Sequence, residues 1–180
     1  RPGAVLLSAI RGFTSLSESA PPEQIVDLLN RYFSRQVAVI FRHGGTLDKF
    51  IGDAIMAFWG APMTHPDDAV RSVQCALDQM EALGRFNRKR VDQGHPPLAV
   101  GMGLHTGPLV AGYVGSSKAM SYTVIGDTAN TSARLCGIAL AAWLAWSIRT
   151  YNKPRTPPRL TNDREPDYGV SVPSATCDKS

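Results

Sequence analysis

No stretch of this chain approaches the roughly 20 apolar residues that a membrane-spanning helix requires; the best candidate, residues 138–148, stops well short. Cysteine is scarce. Cys75, Cys136 and Cys177 are an odd number without metal-ligand spacing, which argues against a disulfide scaffold and for free thiols in a reducing compartment. A strong charge bias is also missing: the net charge is only +4, and Lys and Arg are scattered except at residues 85–90 and in the tail. No nucleic-acid partner is expected on that footing. There is no signal-peptide pattern, and the chain opens on Arg1 instead of Met, as expected of a domain cut from something longer. A cytoplasmic domain follows from these absences, with any membrane attachment lying outside the fragment. An apolar fraction of 43% and a charged fraction of 19% leave a soluble globular domain, and 180 residues can bury a substantial core.

What is present is an alternation of short apolar runs with two long amphipathic stretches. Residues 4–9 (AVLLSA) have the character of a buried strand, and Gly12 then permits a sharp bend. Pro21, Pro22 and Glu23 open a helix, proline and an acid both being favoured in a first turn. Ile25, Leu28, Leu29, Tyr32, Phe33, Val37 and Ile40 recur at helical spacing until Gly44 and Gly45 stop it. Pro66, Asp67 and Asp68 start a second helix running to about Asp92, with Val70, Val73, Ala76, Leu77, Met80, Leu83 and Phe86 facing inward. Arg85, Arg88, Lys89 and Arg90 fall in its last turns, where cations suit the helix dipole. Residues 98–105 read as a strand, with 108–114 as its hairpin partner across Thr106 and Gly107, and His105 as a structural residue. Residues 115–118 read as a turn and 121–125 as a further strand. A third helix begins at 128, capped by Asp127. Helices mixed with largely antiparallel strands predict an α+β sandwich of ferredoxin-like type, with both long helices on one sheet face.

Residues 46–59, TLDKFIGDAIMAFW, read as a hairpin: two apolar strands joined by a turn at Ile51, Gly52 and Asp53. Glycine supplies the positive φ that a short turn between twisted strands needs. The turn also carries a carboxylate, with Lys49 four residues before it.

Taken together, IRGFT, LDKFIGDAIMAFWG, GLHTG and YTVIGDTANTSARL, in this order and spacing, resemble the catalytic domain of class III nucleotide cyclases over residues 5–135. Four linked motifs are far more specific than any one of them. The resemblance implies conversion of ATP to cyclic AMP and pyrophosphate, the ribose 3′-oxygen attacking the α-phosphate. In the family two aspartates hold two divalent ions, Mg²⁺ or Mn²⁺, that neutralise phosphate charge and acidify the nucleophile. Asp53 matches one of these aspartates, and the Ile10 backbone carbonyl matches a further ligand. Gly12, Phe13 and Thr14 match the segment whose backbone N–H groups receive the β- and γ-phosphates at a helix start. Lys49 matches the lysine that reads adenine N1, and Thr123 its partner, meeting the exocyclic amine through its hydroxyl or its carbonyl. Guanylyl cyclases carry Glu and Cys at these two positions instead. Asn130 and Arg134 match the transition-state residues: Asn orients the ribose and the guanidinium neutralises charge developing on the phosphates. Metal residues of one protomer face Lys, Thr, Asn and Arg of the other, so a head-to-tail homodimer builds two sites, and fused regulatory domains outside this fragment are expected.

The sequence also departs from that pattern. The first metal aspartate belongs directly before Ile10, and Ala9 stands there. One carboxylate beside two dications leaves them under-coordinated, an expected loss of about 10²–10⁴-fold, or about 3–5 kcal/mol of barrier. The alternative reading is therefore an inactive pseudo-cyclase that binds nucleotide or dimerises in a regulatory role. Cys136 stands where Glu is expected. The resemblance fades after Leu135, so residues 1–137 are assigned to the cyclase domain and 138–180 to a divergent tail: 138–148 is apolar enough to continue as helix, and 151–180, rich in Pro, Arg, Asp and Ser with few large apolar residues, reads as loop or disorder.

Overall fold

The computed structural model describes residues 2–151, and side chains as far as residue 139. The elements in chain order are β1 (Pro2–Ile10), α1 (Phe13–Ser19), α2 (Pro22–Arg42), β2 (Thr46–Ile51), β3 (Ala54–Trp59), α3 (Asp68–Asp92), β4 (Val100–Pro108), β5 (Val110–Ser116), β6 (Ala119–Ile125) and α4 (Asp127–Tyr151). Four strands form one antiparallel sheet in the order β2-β3-β1-β4, while β5 and β6 pair separately as a two-stranded arm. The tail assigned to disorder lies, from residue 152 on, outside the described residues. Among those described, no helix is long and apolar enough to cross a membrane.

β3 is the middle of the molecule. All six of its residues, AIMAFW, are buried, as a strand covered on both faces must be. Alternation sorts them: Ile55, Ala57 and Trp59 join Leu6, Tyr32, Ile40, Cys75 and Phe86 in the core under α2 and α3. Met56 and Phe58 face the other way, with Val5, Leu109, Val124 and the partly buried Ala129 of α4. The two long helices thus share one sheet face, as the sequence leads one to expect, and α4 with the β5–β6 arm covers the other. Gly103 of β4 explains how closely α4 approaches: a side chain there would run into the backbone of Ser132 and Cys136. Ser132 Oγ donates to the Gly103 carbonyl at 2.7 Å, and Cys136 Sγ to that of Gly101 at 3.3 Å.

Three sequence expectations are corrected. Residues 108–114 do not turn back on β4. β4 runs straight through Thr106 and Gly107 to Pro108, held by β1, with Gly3 opposite Gly107. The turn comes later, at Ser117 and Lys118, just after Gly115 (φ 150) near the end of β5, so β5 pairs with β6 instead. A short helix, α1, precedes α2 as a separate element and starts after Gly12 at φ 65. On α3 the buried face is Ser72, Cys75, Gln79, Ala82, Leu83 and Phe86, whereas Val70, Val73, Leu77 and Met80 are exposed. The apolar stripe is rotated away from the sheet because the contact with α2 is polar at its centre. There Gln36 Nε2 donates to the Gln79 carbonyl at 3.4 Å, and both residues are buried.

Candidate active site

Two groups of functional side chains lie at the β2–β3 hairpin. The first is the turn itself. Gly52 takes φ 60 with no heavy atom within 4 Å of where a Cβ would stand, which aims Asp53 back at the end of β1. Asp53 Oδ2 accepts the Ile10 N–H at 2.8 Å. Partial burial pushes the Asp53 carboxyl up, while hydrogen bonds from its own backbone N–H and that of Ile10 pull it down. Asp53 and Ile10 are therefore together, as the resemblance implies. Ala9 lies beside them, opposite Ala54 on one side and Gly101 on the other.

Two divalent ions at this corner would require several oxygen donors around each. Among the described residues, no group of three or more His, Cys, Asp or Glu converges anywhere. Asp53 is the one carboxylate at the corner, and one of its oxygens is already engaged by Ile10. Cys136 turns its thiol to the Gly101 carbonyl, and burial pushes it up, away from the thiolate that a metal would need. The donor set does not fit a pair of Mg²⁺ or Mn²⁺ ions.

The second group joins β2 to β6. Lys49 Nζ donates to Thr123 Oγ1 at 3.2 Å, across 74 residues of sequence. Thr123 is buried and the Lys49 side chain is half-exposed, so the ammonium is reached from solvent more easily than the hydroxyl it contacts. A third member is Asp48, which sequence reading missed: its Oδ2 accepts from Thr123 Oγ1 at 2.8 Å. Strict strand alternation sends Asp48 and Lys49 to opposite faces. The β2–β3 register shifts between Leu47 and Lys49, and this irregularity brings both side chains to Thr123. A charged residue next to another in a strand was the available signal.

Asn130 and Arg134 are exposed on α4, one turn apart. Arg134 forms no ion pair with any described residue, so its guanidinium is not consumed within the helix surface. Asp127 opens α4 in its first turn and accepts from Thr131 Oγ1 at 3.4 Å. His105 lies within β4 opposite Val5, a strand residue. At Gly12 the left-handed backbone starts α1, whose first-turn N–H groups at Phe13 and Thr14 have no partner within the helix. No described hydrogen bond joins the Asp53 corner to the Lys49 group.

Comparison with known proteins gives the family. Residues 3–163 match the family described as the adenylate and guanylate cyclase catalytic domain. Adenylate cyclase 1 of Rhizobium meliloti (strain 1021) is 37% identical over 133 residues, covering 74% of this chain and 20% of that protein. The adenylate cyclase of Anabaena cylindrica is 39% identical over 142 residues, 74% of this chain and 26% of its own length. The chain thus spans a fifth to a quarter of these curated relatives. Among solved structures, the guanylyl cyclase Cya2 superposes with a TM-score of 0.73 at 42% identity, covering 77% of this chain and 70% of that one. The adenylyl cyclase CyaB of P. aeruginosa gives 0.73 at 36% identity, covering 76% and 71%. On the family match over residues 3–163 and these identities, this chain belongs to the class III nucleotide cyclase catalytic domain family.

Proposed function

We propose that this domain is of the adenylate cyclase type, taking ATP as its nucleotide, and that its catalysis is impaired at the metal corner. The observation that carries the base assignment is the Lys49–Thr123 hydrogen bond at 3.2 Å. It sets an ammonium donor beside a hydroxyl, groups suited to adenine N1 and its exocyclic amine. Adenine N1 is an acceptor; guanine N1 carries a proton and would meet the lysine donor to donor. Both adenylyl and guanylyl cyclases are among the similar structures, so the pair and not the fold supports the choice.

In this reading the chain's own groups have separate tasks. Lys49 and Thr123 hold the base. Asn130 orients the ribose, and Arg134 offers a guanidinium with no ion pair to any described residue to phosphate charge as it develops. The backbone N–H groups at Gly12, Phe13 and Thr14 receive the terminal phosphates. The exposed Val110, Tyr113, Val114 and Met120 of the β5–β6 arm, 45–71% accessible, support a head-to-tail homodimer in which each protomer completes its partner's site. The greater length of the curated relatives supports a module carried with further, regulatory domains.

A second reading, a nucleotide-binding or dimerising regulatory module without turnover, is favoured by Ala9. Cyclic AMP production from ATP with Mn²⁺, measured for this chain and for Ala9→Asp, separates the two. The impaired-cyclase reading expects weak output from the chain and a rise of about 10²–10⁴-fold in Ala9→Asp. Robust output from the unmodified chain overturns the impairment. No output from either protein supports the regulatory module.

A further inference from the structure

Thr123 Oγ1 sits between two partners of opposite kind. Asp48 Oδ2 is 2.8 Å away on one side and Lys49 Nζ 3.2 Å on the other. The Asp48 side chain is only 1% exposed, and its second oxygen lies 3.6 Å from the same ammonium. A threonine hydroxyl has one proton and two lone pairs; a carboxylate only accepts, and an ammonium only donates. The proton of Thr123 is therefore committed to Asp48, and one lone pair is taken by Lys49. What remains for a ligand is a single lone pair, an acceptor. On β5, Gly112 is the register partner of Thr123 and has no heavy atom within 4 Å of where a Cβ would stand, so the space beside the hydroxyl is open to a purine edge.

From this geometry we infer that Asp48 is a positioning residue for purine choice: it fixes the polarity of the Thr123 hydroxyl, so that the site accepts the 6-amino group of adenine and opposes the 6-oxo group of guanine. The inference rests on the adenine assignment made above, and it selects the hydroxyl of Thr123, not its carbonyl, as the reader. Without Asp48 the hydroxyl rotates freely and can donate to a 6-oxo oxygen as readily as accept from an amine. The effect acts through Thr123 and leaves the phosphate end of the nucleotide alone. A site built to match one hydrogen-bond pattern discriminates strongly, because the wrong base leaves buried polar groups opposed.

The test is a binding measurement that needs no turnover. ATP and GTP are competed against a fluorescent N-methylanthraniloyl-ATP on the unmodified chain, on Asp48→Ala, on Thr123→Val and on the double variant. The expected result is that Asp48→Ala lowers the ATP-over-GTP ratio about tenfold, with GTP binding no weaker than before. In the Thr123→Val background the same substitution leaves the ratio unchanged, since the hydroxyl through which it acts is gone. A purely structural role would weaken both nucleotides alike. Should Asp48→Ala not fold, Asp48→Leu fills the same space and likewise offers the threonine proton no acceptor. An unchanged ratio in the Asp48 variants, or a full Asp48 effect that survives in Thr123→Val, overturns the inference. A chain that shows no ATP preference before any substitution overturns the adenine assignment and this inference with it, and the unmodified protein alone reveals that outcome.

Discussion

Two thiols lie inside the molecule, and burial governs what they can do. Cys75 and Cys136 are both free and buried, and loss of solvation pushes Cys75 up to about 12 from an ordinary 9.0, with Asp78 adding to the shift and Arg42 opposing it. A thiol raised on folding contributes its full stability below the unfolded value and loses it as pH rises through the folded one. The unfolding free energy should therefore fall more steeply between pH 9.0 and about 12 in the parent than in Cys75→Ala, as urea titrations across that range would reveal. In a Cys177→Ser background, neither remaining thiol should react with a chromogenic disulfide reagent until denaturant is added. At the hairpin turn, Asp53→Ala removes the acceptor for the Ile10 N–H and should cost about 1–2 kcal/mol in urea unfolding, whereas Asp53→Asn keeps an acceptor and most of that stability. Lys49, Thr123 and Asp53 were legible in the sequence because each stands in a motif of fixed spacing. Asp48 was not, because its role depends on an irregularity in strand pairing that no alternation pattern announces.

At the scale of elements, the strands and long helices were readable wherever burial enforces a single period. β3 is apolar throughout because both its faces are covered, and α2 keeps Ile25, Leu28, Tyr32 and Ile40 inward as the spacing requires. α3 misleads for a physical reason: it carries apolar residues on two sides, and only packing decides which is buried. Leu77 is 65% exposed, so Leu77→Glu should change stability by no more than about 0.5 kcal/mol. The pairing of β5 was equally undetermined, since Thr106-Gly107 and Gly115 both offered turn chemistry and only the length of β1 opposite β4 excluded the first. Glycine is diagnostic where it permits approach. Gly103→Ala drives a methyl into the backbone of Ser132 and Cys136 and should cost about 1–3 kcal/mol or more. Gly112→Ala, with nothing within 4 Å, should leave the urea midpoint near that of the parent.

For the whole molecule, the division of the site matters most. The Asp53 corner and the Lys49 group occupy different places on one chain, and no described hydrogen bond connects them. If two head-to-tail copies complete each other, two defective chains should rescue one another. In an Ala9→Asp background, Asp53→Ala and Arg134→Ala proteins should each be inactive alone. Mixed in equal amounts, they should recover about a quarter of the cyclic AMP output of the Ala9→Asp protein, because half the dimers are mixed and each mixed dimer holds one intact site. No recovery on mixing would show that the copies do not share a site this way. Ala9 itself has a wider consequence. Its neighbours across the sheet, Ala54 and Gly101, are among the smallest residues available, so the strand still tolerates a carboxylate there without rebuilding the core. Every alanine codon becomes an aspartate or a glutamate codon by one change at its second base. A gene encoding this chain stands one point mutation from regaining the second acid, and selection for or against a cyclic nucleotide signal could act on that one position while the rest of the fold stays as it is.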